Sequence, residues 1–349
     1  MADIFENPIG TDGFEFVEFA TKDPKPMRKL FHALGFEAQA KHKTRPITLF
    51  RQGEVVFLLN EETSDFANDF AEAHGPCACS MGFRVKDGEH AITETIKRGA
   101  KVVIEDDMVI DAHCIEGIGG SRLYLVDKYG ENSIWSDDYV TIEGAGSADN
   151  NAGLTYIDHL THNVYRGNME KWGEFYERVF NFRQIRYFDI EGKLTGLISK
   201  AMTSPCGLIR IPINESQDDV SQIAEYLDEY KGEGIQHIAL GTDNIIKSVD
   251  LLLGNKLEFQ DTIESYFDLI DERLPGHGED VDALRERRIL VDGAPTEGQG
   301  ILLQIFTKNV IGPIFFEIIQ RKGNEGFGEG NFQALFDSIE LDQVRRGVI

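Results

Sequence analysis

The stretch Gly13-Phe-Glu-Phe-Val-Glu-Phe-Ala-Thr21 alternates apolar and polar residues, as a half-buried β-strand does. The stretch Tyr156-Ile-Asp-His-Leu-Thr-His-Asn-Val164 occupies the same place in the second half of the chain, where it sets His159 against Phe16. These two strands decide the fold because each of them begins one copy of a repeated arrangement.

The repeat continues through a helix and further strands. Each first strand is followed by large apolar residues at the spacing of one helix face: Met27, Leu30, Phe31 and Leu34 in the first half, and Trp172, Phe175, Tyr176 and Val179 in the second. Two more strands match in order, Glu54–Asn60 with Gly207–Asn214 and Ser80–Asp87 with Gln236–Asp243. A period this long indicates paired domains, and each half is expected to be an α+β unit whose mostly antiparallel sheet curves around a cavity.

Length and one Gly-rich stretch place a boundary between the halves. A chain of 349 residues is too long for one typical core. Residues Glu143–Gly153 are small, polar and rich in glycine, which is typical of a linker. We therefore expect domains at residues 1–150 and 151–349, the second lengthened by a charged helical insertion at Glu264–Gly300 and ended by a helix at Asn331–Ile349.

Composition excludes several classes of partner. The 60 acidic side chains outnumber the 35 basic ones and give a net charge of -25, so the surface repels nucleic-acid phosphates and anionic lipids. No apolar run reaches the roughly 18 residues of a membrane span, and the first residues lack the basic start of a signal peptide. We expect a globular protein with a cytoplasmic location, in which the four cysteines are buried thiols.

One carboxylate stands in an apolar stretch. The run Gly312-Pro-Ile-Phe-Phe-Glu-Ile-Ile-Gln-Arg321 predicts a buried strand with Glu317 at its centre. An ionised Glu in such a place is strongly destabilising unless a positive group meets it. A countercharge for Glu317 is therefore expected elsewhere in the chain.

The repeat supplies a candidate for that countercharge, because three apolar positions of the first half correspond to two imidazoles and a carboxylate in the second. The first-half residues are Phe16, Met81 and one near Leu125, and the second-half residues are His159, His237 and Glu317. Two histidines and one carboxylate on three strands of a curved sheet form the set that holds a divalent metal on one face, which favours non-haem Fe(II) over structural zinc.

A single strand histidine is more often a hydrogen-bonded core residue than a metal ligand, so the hypothesis depends on the three residues acting together. His162 is the competitor of His159 for the metal. Its odd offset from His159 turns it to the opposite face of the strand, and we interpret it as structural.

Five motifs of the chain resemble the 4-hydroxyphenylpyruvate dioxygenases of the vicinal oxygen chelate superfamily. They are Ile157-Asp-His-Leu-Thr-His-Asn-Val164, Gly232-Glu-Gly-Ile-Gln-His-Ile-Ala239, Leu302-Leu-Gln-Ile-Phe306, Phe315-Phe-Glu-Ile-Ile-Gln-Arg-Lys-Gly323 and Gly326-Phe-Gly-Glu-Gly-Asn-Phe332. The resemblance covers essentially the whole chain. It implies two vicinal-oxygen-chelate domains of paired βαβββ modules, each a half-open barrel, the first without metal and serving structure or oligomerisation.

The resemblance also implies an activity: conversion of 4-hydroxyphenylpyruvate and O2 to homogentisate and CO2 in tyrosine and phenylalanine catabolism. The steps would be oxidative decarboxylation, ring hydroxylation and side-chain migration, with Fe(II) as cofactor and a homo-oligomer as the assembly. The implied iron ligands are His159, His237 and Glu317. The implied catalytic polar residues are Gln236, Gln304, Asn214 and Ser199. The implied substrate-binding residues are Gln222, Phe306, Phe315, Phe327 and Phe332.

The C-terminal helix adds a hypothesis about access to the site. Gly326, Gly328 and Gly330 precede the apolar face predicted at Asn331–Ile349, and glycines permit a sharp backbone turn. We expect a lid that excludes water during turnover, with an ordinary packing helix as the alternative.

Three other functions stay open at this point. A 4-hydroxymandelate synthase would share the substrate and the iron and differ in product. A non-redox lyase or isomerase on the same scaffold would use zinc or nickel and consume no oxygen. A metal-free binding protein would hold no iron.

Overall fold

The fold was analysed in a computed structural model, which describes residues 3–146, 151–191, 196–328, 330–331, 343–344 and 346–347. Within these ranges nine strands form a first sheet: β1 (Thr11–Ala20), β2 (Glu37–His42), β3 (Ile47–Gln52), β4 (Val55–Asn60), β5 (Cys77–Val85), β6 (Val102–Val103), β7 (His113–Glu116), β8 (Arg122–Val126) and β9 (Tyr139–Thr141). Eight described strands form a second: β10 (Leu154–Val164), β11 (Arg183–Glu191), β12 (Gly196–Thr203), β13 (Arg210–Ser216), β14 (Gly234–Thr242), β15 (Leu290–Gly293), β16 (Ile301–Phe306) and β17 (Phe315–Lys322).

The helices of the described residues connect these strands. They are α1 (Pro24–Ala33), α2 (Phe66–His74), α3 (Gly88–Lys97), α4 (Trp135–Asp138), α5 (Met169–Phe180), α6 (Gln222–Tyr230), α7 (Ile245–Gly254), α8 (Glu264–Asp268), α9 (Ile270–Arg273) and α10 (Val281–Arg287), with short 3₁₀ turns at Ile118–Gly120, Gly130–Asn132 and Pro295–Glu297. In the parts of the chain that the structure describes, none of these helices combines the length and the apolar character that crossing a membrane requires.

The predicted duplication is confirmed, and each sheet contains two βαβββ modules. In the second sheet the first module is β10, α5, β11, β12 and β13, and the other consists of β14, α7, β15, β16 and β17. The strand order β11-β12-β13-β10-β14-β17-β16-β15 joins the modules through β10 and β14 at the centre. Each sheet is mixed: β10 pairs with β13 and β14 with β17 in parallel, as β1 does with β4 and β5 with β8, while the other neighbours are antiparallel.

Local sequence explains the first helix of each half. Asp23 caps α1 by accepting a hydrogen bond from the Lys25 N–H, and proline stands in the first turn, where its missing N–H costs nothing. Helix α5 buries the predicted Trp172, Tyr176 and Val179 and ends at Asn181, whose left-handed conformation closes the last turn. The buried residues of both helices pack against one face of their sheet, which leaves the other face of the second sheet to the site.

Two cores occupy the two faces of the first sheet. The outer core is continuous with that of the second sheet, and the rings of Phe57 and Phe316 lie 5.8 Å apart across the two halves. The inner face carries a separate cluster in which the ring of Phe16 lies 5.5 Å from those of both Tyr124 and Trp135. The strands of the first sheet precede residue 150, and those of the second sheet follow it. The domain boundary at residue 150 stays a prediction.

The strand register identifies the first-half counterpart of Glu317. The strand pairing from β10 across β14 to β17 leads from His159 to Glu317. The equivalent pairing from β1 across β5 to β8 leads from Phe16 to Tyr124 and not to Leu125. Leu125 belongs to the outer core and Tyr124 to the inner cluster. The predicted position near Leu125 is confirmed, and the register selects Tyr124, whose side chain lies on the opposite face of the sheet from that of Leu125.

The register corrects the predicted counterpart of His237, which was Met81. Thr161 lies opposite His237 in the second sheet, and the equivalent Glu18 lies opposite Ser80, whereas Met81 faces the outer core. The first-half counterparts of the three site residues therefore include a serine and a tyrosine beside Phe16, rather than three apolar residues.

The predicted lid helix at Asn331–Ile349 lies mostly outside the described residues, and so does Phe332. Among the described ones, Gln343 and Arg346 donate hydrogen bonds to the Glu225 carboxylate on α6. The lid stays a prediction.

Candidate metal centre

Three adjacent strands of the second sheet, β10, β14 and β17, bring His159, His237 and Glu317 together. All three side chains are buried, with at most 3% of any residue exposed. His159 Nε2 lies 3.2 Å from His237 Nε2 and 3.1 Å from Glu317 Oε2, and His237 Nε2 lies 3.4 Å from the same carboxylate oxygen. Three potential ligand atoms thus form a small triangle.

The dimensions of this triangle suit a divalent metal. A metal bonded to nitrogen and oxygen at about 2.0–2.2 Å separates neighbouring ligand atoms of an octahedron by about 3 Å. The observed separations of 3.1–3.4 Å are close to that value. The residues could therefore occupy one face of an octahedral ion and leave the opposite face to other ligands.

The electrostatics of the triangle also favour a cation. Burial alone would keep Glu317 protonated, but His159 and His237 outweigh it and hold the pKa of Glu317 at about 2. Burial lowers the pKa of His237. An anionic carboxylate beside a neutral imidazole is a donor set that a divalent ion accepts.

Each of the two histidines is preceded by a β-bulge. In β10 the pairing passes from Ile157 directly to His159 while the partner strand advances by one residue, which leaves Asp158 as the extra residue. In β14 the extra residue is Gln236. A bulge turns two consecutive side chains towards the same side and recurs next to active sites. The bulges therefore place Asp158 and Gln236 beside the histidines that follow them.

These two bulge residues fix the histidine tautomers. His159 Nδ1 donates to Asp158 Oδ1 at 2.9 Å, and His237 Nδ1 donates to Gln236 Oε1 at 2.6 Å. With Nδ1 protonated, Nε2 carries the lone pair that a metal would take. Gln236, which we predicted as a catalytic polar residue, thus contacts a candidate ligand directly.

Gln304 on β16 has a matching place beside the carboxylate. Its Nε2 donates to Glu317 Oε1 at 2.7 Å and to the Phe327 carbonyl at 3.1 Å. Gln304 is therefore placed to orient Glu317 as well as anything bound at the site.

The predicted polar residues Ser199 and Asn214 lie side by side on β12 and β13. Asn163 lies opposite Asn214 on β10 and accepts a hydrogen bond from its Nδ2 at 3.3 Å. Within the described part of the chain, Ser199 Oγ, Asn214 Oδ1 and Asn163 Nδ2 are buried and have no hydrogen-bond partner. Three unsatisfied polar atoms in one row are suited to a polar ligand.

Sequence reasoning missed Asn163 and Thr161. Both follow His159 at even offsets on one strand and so share its face, a signal that was readable. Thr161 Oγ1 lies 3.0 Å from His237 Nε2.

Aromatic rings surround the two imidazoles. The ring of Phe315 stacks on His237 at a centroid distance of 4.9 Å, with Phe306 at 6.4 Å from the same imidazole. Phe327 lies 5.7 Å from His159, and Phe188, which sequence reasoning missed, lies 6.5 Å from Phe327. Three of the four predicted phenylalanines are thus at the site, and Phe332 lies outside the described residues.

A cavity of about 390 Å³ lies beside the site. Its lining includes the predicted Gln222 together with Gln236 and Phe315, both of which contact His237. Gln222 thus shares a cavity lining with two residues that contact His237, and the three candidate ligands are not part of that lining.

His162 lies on the opposite face of β10. Its Nε2 is 2.7 Å from the Tyr176 hydroxyl on α5, and burial lowers the pKa of His162 to about 3. A neutral, hydrogen-bonded histidine in the outer core matches the structural role we predicted.

Comparisons with known proteins agree with this geometry. Residues 5–140 match the family model "Hydroxyphenylpyruvate dioxygenase, HPPD, N-terminal", and residues 156–269 match "Glyoxalase/Bleomycin resistance protein/Dioxygenase superfamily". A triple mutant of 4-hydroxymandelate synthase from Streptomyces coelicolor superposes with a TM-score of 0.81 over 95% of this chain and 99% of that one, at 24% identity, which indicates a shared fold.

Sequence relatives extend over nearly the full length. The 4-hydroxyphenylpyruvate dioxygenase of Pseudomonas aeruginosa is 58% identical over 98% of this chain and 97% of its own. Hemolysin VllY of Vibrio vulnificus is 55% identical over 98% of both chains. The 4-hydroxyphenylpyruvate dioxygenase of Legionella pneumophila is 51% identical, again over 98% of both. The chain therefore belongs to the 4-hydroxyphenylpyruvate dioxygenase family.

Proposed function

We propose that this protein is an Fe(II)-dependent dioxygenase that converts 4-hydroxyphenylpyruvate and O2 to homogentisate and CO2 in tyrosine and phenylalanine catabolism. The observation that carries the proposal is the triangle of His159 Nε2, His237 Nε2 and Glu317 Oε2, with sides of 3.1–3.4 Å. Family membership supports the choice of substrate.

The proposed metal ligands are these three atoms. Three protein ligands leave about three of six positions for other groups, which suits Fe(II) in oxygenases better than a closed structural zinc site. Bound Fe(II) supplies the capacity to react with O2 and to accept the chelating oxygens of a keto acid.

The overall reaction needs no further reductant, because the substrate is itself oxidised. One oxygen atom of O2 enters the carboxylate formed when CO2 leaves, and the other becomes the new ring hydroxyl. The side chain moves to the neighbouring ring carbon. Atoms and electrons therefore balance with O2 as the only co-substrate.

The protein's part is to orient the substrate and exclude water. Phe315 and Phe327 lie on different sides of the imidazole pair and suit the faces of an aromatic ring. Ser199, Asn214 and Asn163 offer hydrogen bonds to its polar groups. Positioning of this kind contributes to catalysis without any side chain acting as acid or base.

We also propose that the first domain has a structural role. Phe16, Ser80 and Tyr124 stand where the second domain has its candidate ligands, and the aromatic rings of the inner cluster fill that space. A homo-oligomer and a cytoplasmic location complete the proposal, and the mass of the native protein in solution tests the first of them.

The decisive experiment loads the purified protein with Fe(II), adds 4-hydroxyphenylpyruvate, and measures oxygen uptake together with the released products. We expect stoichiometric O2 consumption, CO2 release and homogentisate. Formation of 4-hydroxymandelate would instead make the protein a synthase of that compound. No oxygen uptake by iron-loaded protein would reject the dioxygenase in favour of a non-redox enzyme or a binding protein.

A further inference from the structure

We propose that Arg321 is a positioning residue that, through Asp158, couples the metal ligand His159 to the backbone segment Asn324–Phe327. In this arrangement metal binding and the seating of Phe327 stabilise each other. The inference rests on the metal centre of the proposed function and deepens it.

The first step is the contact between Asp158 and His159. Asp158 is fully buried in the bulge of β10, and its Oδ1 accepts the hydrogen bond from His159 Nδ1. A carboxylate at this position fixes the ring and makes Nε2 a stronger ligand. Its orientation therefore determines that of the histidine.

The second step is the pair of hydrogen bonds from Arg321 to this carboxylate. Arg321 Nε donates to Asp158 Oδ2 at 2.7 Å, and Arg321 Nη2 donates to Oδ1 at 2.8 Å. A second guanidinium, that of Arg210, is more distant at 3.6 Å and also pairs with Glu325. The two-point contact of Arg321 thus fixes the plane of the carboxylate.

The third step leads from Arg321 to the backbone. Its Nη1 donates to the carbonyl oxygens of Asn324 at 2.9 Å and Gly326 at 2.6 Å. The next residue is Phe327, whose ring lies 5.7 Å from His159 and 6.0 Å from the Arg321 guanidinium carbon. One side chain therefore holds both the partner of a metal ligand and the segment that carries an aromatic wall of the site.

Glu317, the candidate carboxylate ligand, is connected to the same segment through the hydrogen bonds of a different residue, Gln304. Gln304 Nε2 donates to Glu317 Oε1 and to the Phe327 carbonyl, and Gln304 Oε1 accepts from Asn331 Nδ2 at 2.9 Å. The hydrogen-bond partners of two candidate ligands thus converge on Asn324, Gly326, Phe327 and Asn331. Because both sets of hydrogen bonds end on one short segment, we expect metal binding to stabilise that segment. The coupling is reciprocal, so an ordered segment also favours metal binding.

The chemistry of arginine is needed for this role. Lysine keeps the charge but lacks the planar fork that serves a carboxylate and two carbonyls at once. Arg321→Lys should therefore preserve the charge and lose the coupling. Asp158→Asn should keep an acceptor for His159 Nδ1 and lose the two-point ion pair.

The chain offers a matched control in the first domain. Arg122 is buried, pairs with Asp107 at 2.7 Å, and lies over the ring of Phe66 at 4.1 Å. Arg122→Lys makes the same change in a buried ion pair and ring contact of the first domain, outside the strands that carry the candidate ligands.

The experiment uses Co(II) alone as the metal probe on the full chain, without substrate. It measures the Co(II) dissociation constant, the visible absorption of bound Co(II), and hydrogen exchange of the amides of residues 324–328 with and without the metal. In the unmodified protein we expect metal to slow exchange in this segment. In Arg321→Lys and Asp158→Asn we expect roughly 10–100-fold weaker binding, an altered spectrum and loss of the metal-dependent protection. Arg122→Lys should change none of these.

Several results would overturn the inference. The inference fails if metal does not change the hydrogen exchange of residues 324–328 in the unmodified protein. This test needs no variant, so it holds even if the variants fail to fold. The inference also fails if Arg321→Lys keeps the Co(II) affinity and the metal-dependent protection. It fails as well if Arg122→Lys loses both to the same extent as Arg321→Lys. If the unmodified protein bound neither Co(II) nor Fe(II), the proposed function would fail together with this inference, whereas metal binding without linked protection would reject the inference alone.

Discussion

Gln304 Nε2 donates a hydrogen bond to Glu317 Oε1 at 2.7 Å, from the neighbouring strand of the sheet. From sequence we placed Gln304 among the catalytic polar residues and not among the metal ligands. The contact changes that expectation, because a residue that holds a metal ligand in place contributes to metal affinity as well.

The first prediction therefore concerns Gln304→Leu, which keeps the approximate volume and removes the amide. The carboxylate loses its hydrogen bond, and metal affinity should fall by roughly 10–100-fold together with turnover. Metal content after dialysis against a graded chelator checks this. Full metal occupancy with lost turnover would instead show that Gln304 acts on the substrate alone.

Asn214→Leu should behave differently. Asn214 contacts Asn163 and has an unpaired Oδ1 within the described residues, so its loss removes a hydrogen bond to the ligand and not to a candidate metal ligand. The loss of about 1–1.5 kcal/mol should lower kcat/KM about tenfold. Steady-state kinetics on fully metal-loaded protein measures it, and a reduced metal content would contradict the assignment.

His159→Ala and His162→Ala form a matched pair on one strand. His159→Ala should abolish metal binding because it removes one corner of the triangle. His162→Ala should retain the metal and lower the free energy of unfolding by about 1–3 kcal/mol, because it removes a buried hydrogen-bonded side chain. Elemental analysis and denaturant unfolding distinguish them, and the reverse pattern would place the metal on the other face of β10.

The pH dependence of stability should report His162. Its pKa falls from 6.5 in the unfolded chain to about 3 in the folded one, so the unfolded state binds the extra proton between these values. Its contribution to stability is present above pH 6.5 and is lost as the pH falls towards 3. In metal-free protein, His162→Gln should make the slope of unfolding free energy against pH shallower by about 1.4 kcal/mol per pH unit in this window. An unchanged slope would show that His162 titrates normally.

Gly328→Ala should disturb Gln304. Gly328 has a φ of +76°, and an added Cβ would overlap Gln304 Oε1. Metal affinity and turnover should fall together, because Gln304 must move away from Glu317. Gly298→Ala is the control, since its φ is +75° and, among the described residues other than its chain neighbours, no atom lies within 4 Å of the added carbon. Equal effects of the two changes would mean that backbone strain alone accounts for the loss.

The sequence by itself determined the repeat, the strands that carry the site, and the three residues that the structure brings together. These features are local or periodic: Glu317 is conspicuous within its own apolar strand, and His159 stands out where the first half has Phe16. The opposite orientation of His162 followed from strand geometry alone, because side chains alternate along a regular strand.

Only the tertiary structure decided the exact partners. Pairing between distant strands created the bulges at Asp158 and Gln236 and set the register that makes Ser80 and Tyr124 the true counterparts of His237 and Glu317. Arg321 and Asp158 are 163 residues apart, so their ion pair has no signature in the local sequence. Hydrogen bonding between strands, rather than the pattern within any one strand, determines which side chains meet. The three candidate ligands were therefore predictable from sequence, whereas the hydrogen bonds that support them were not.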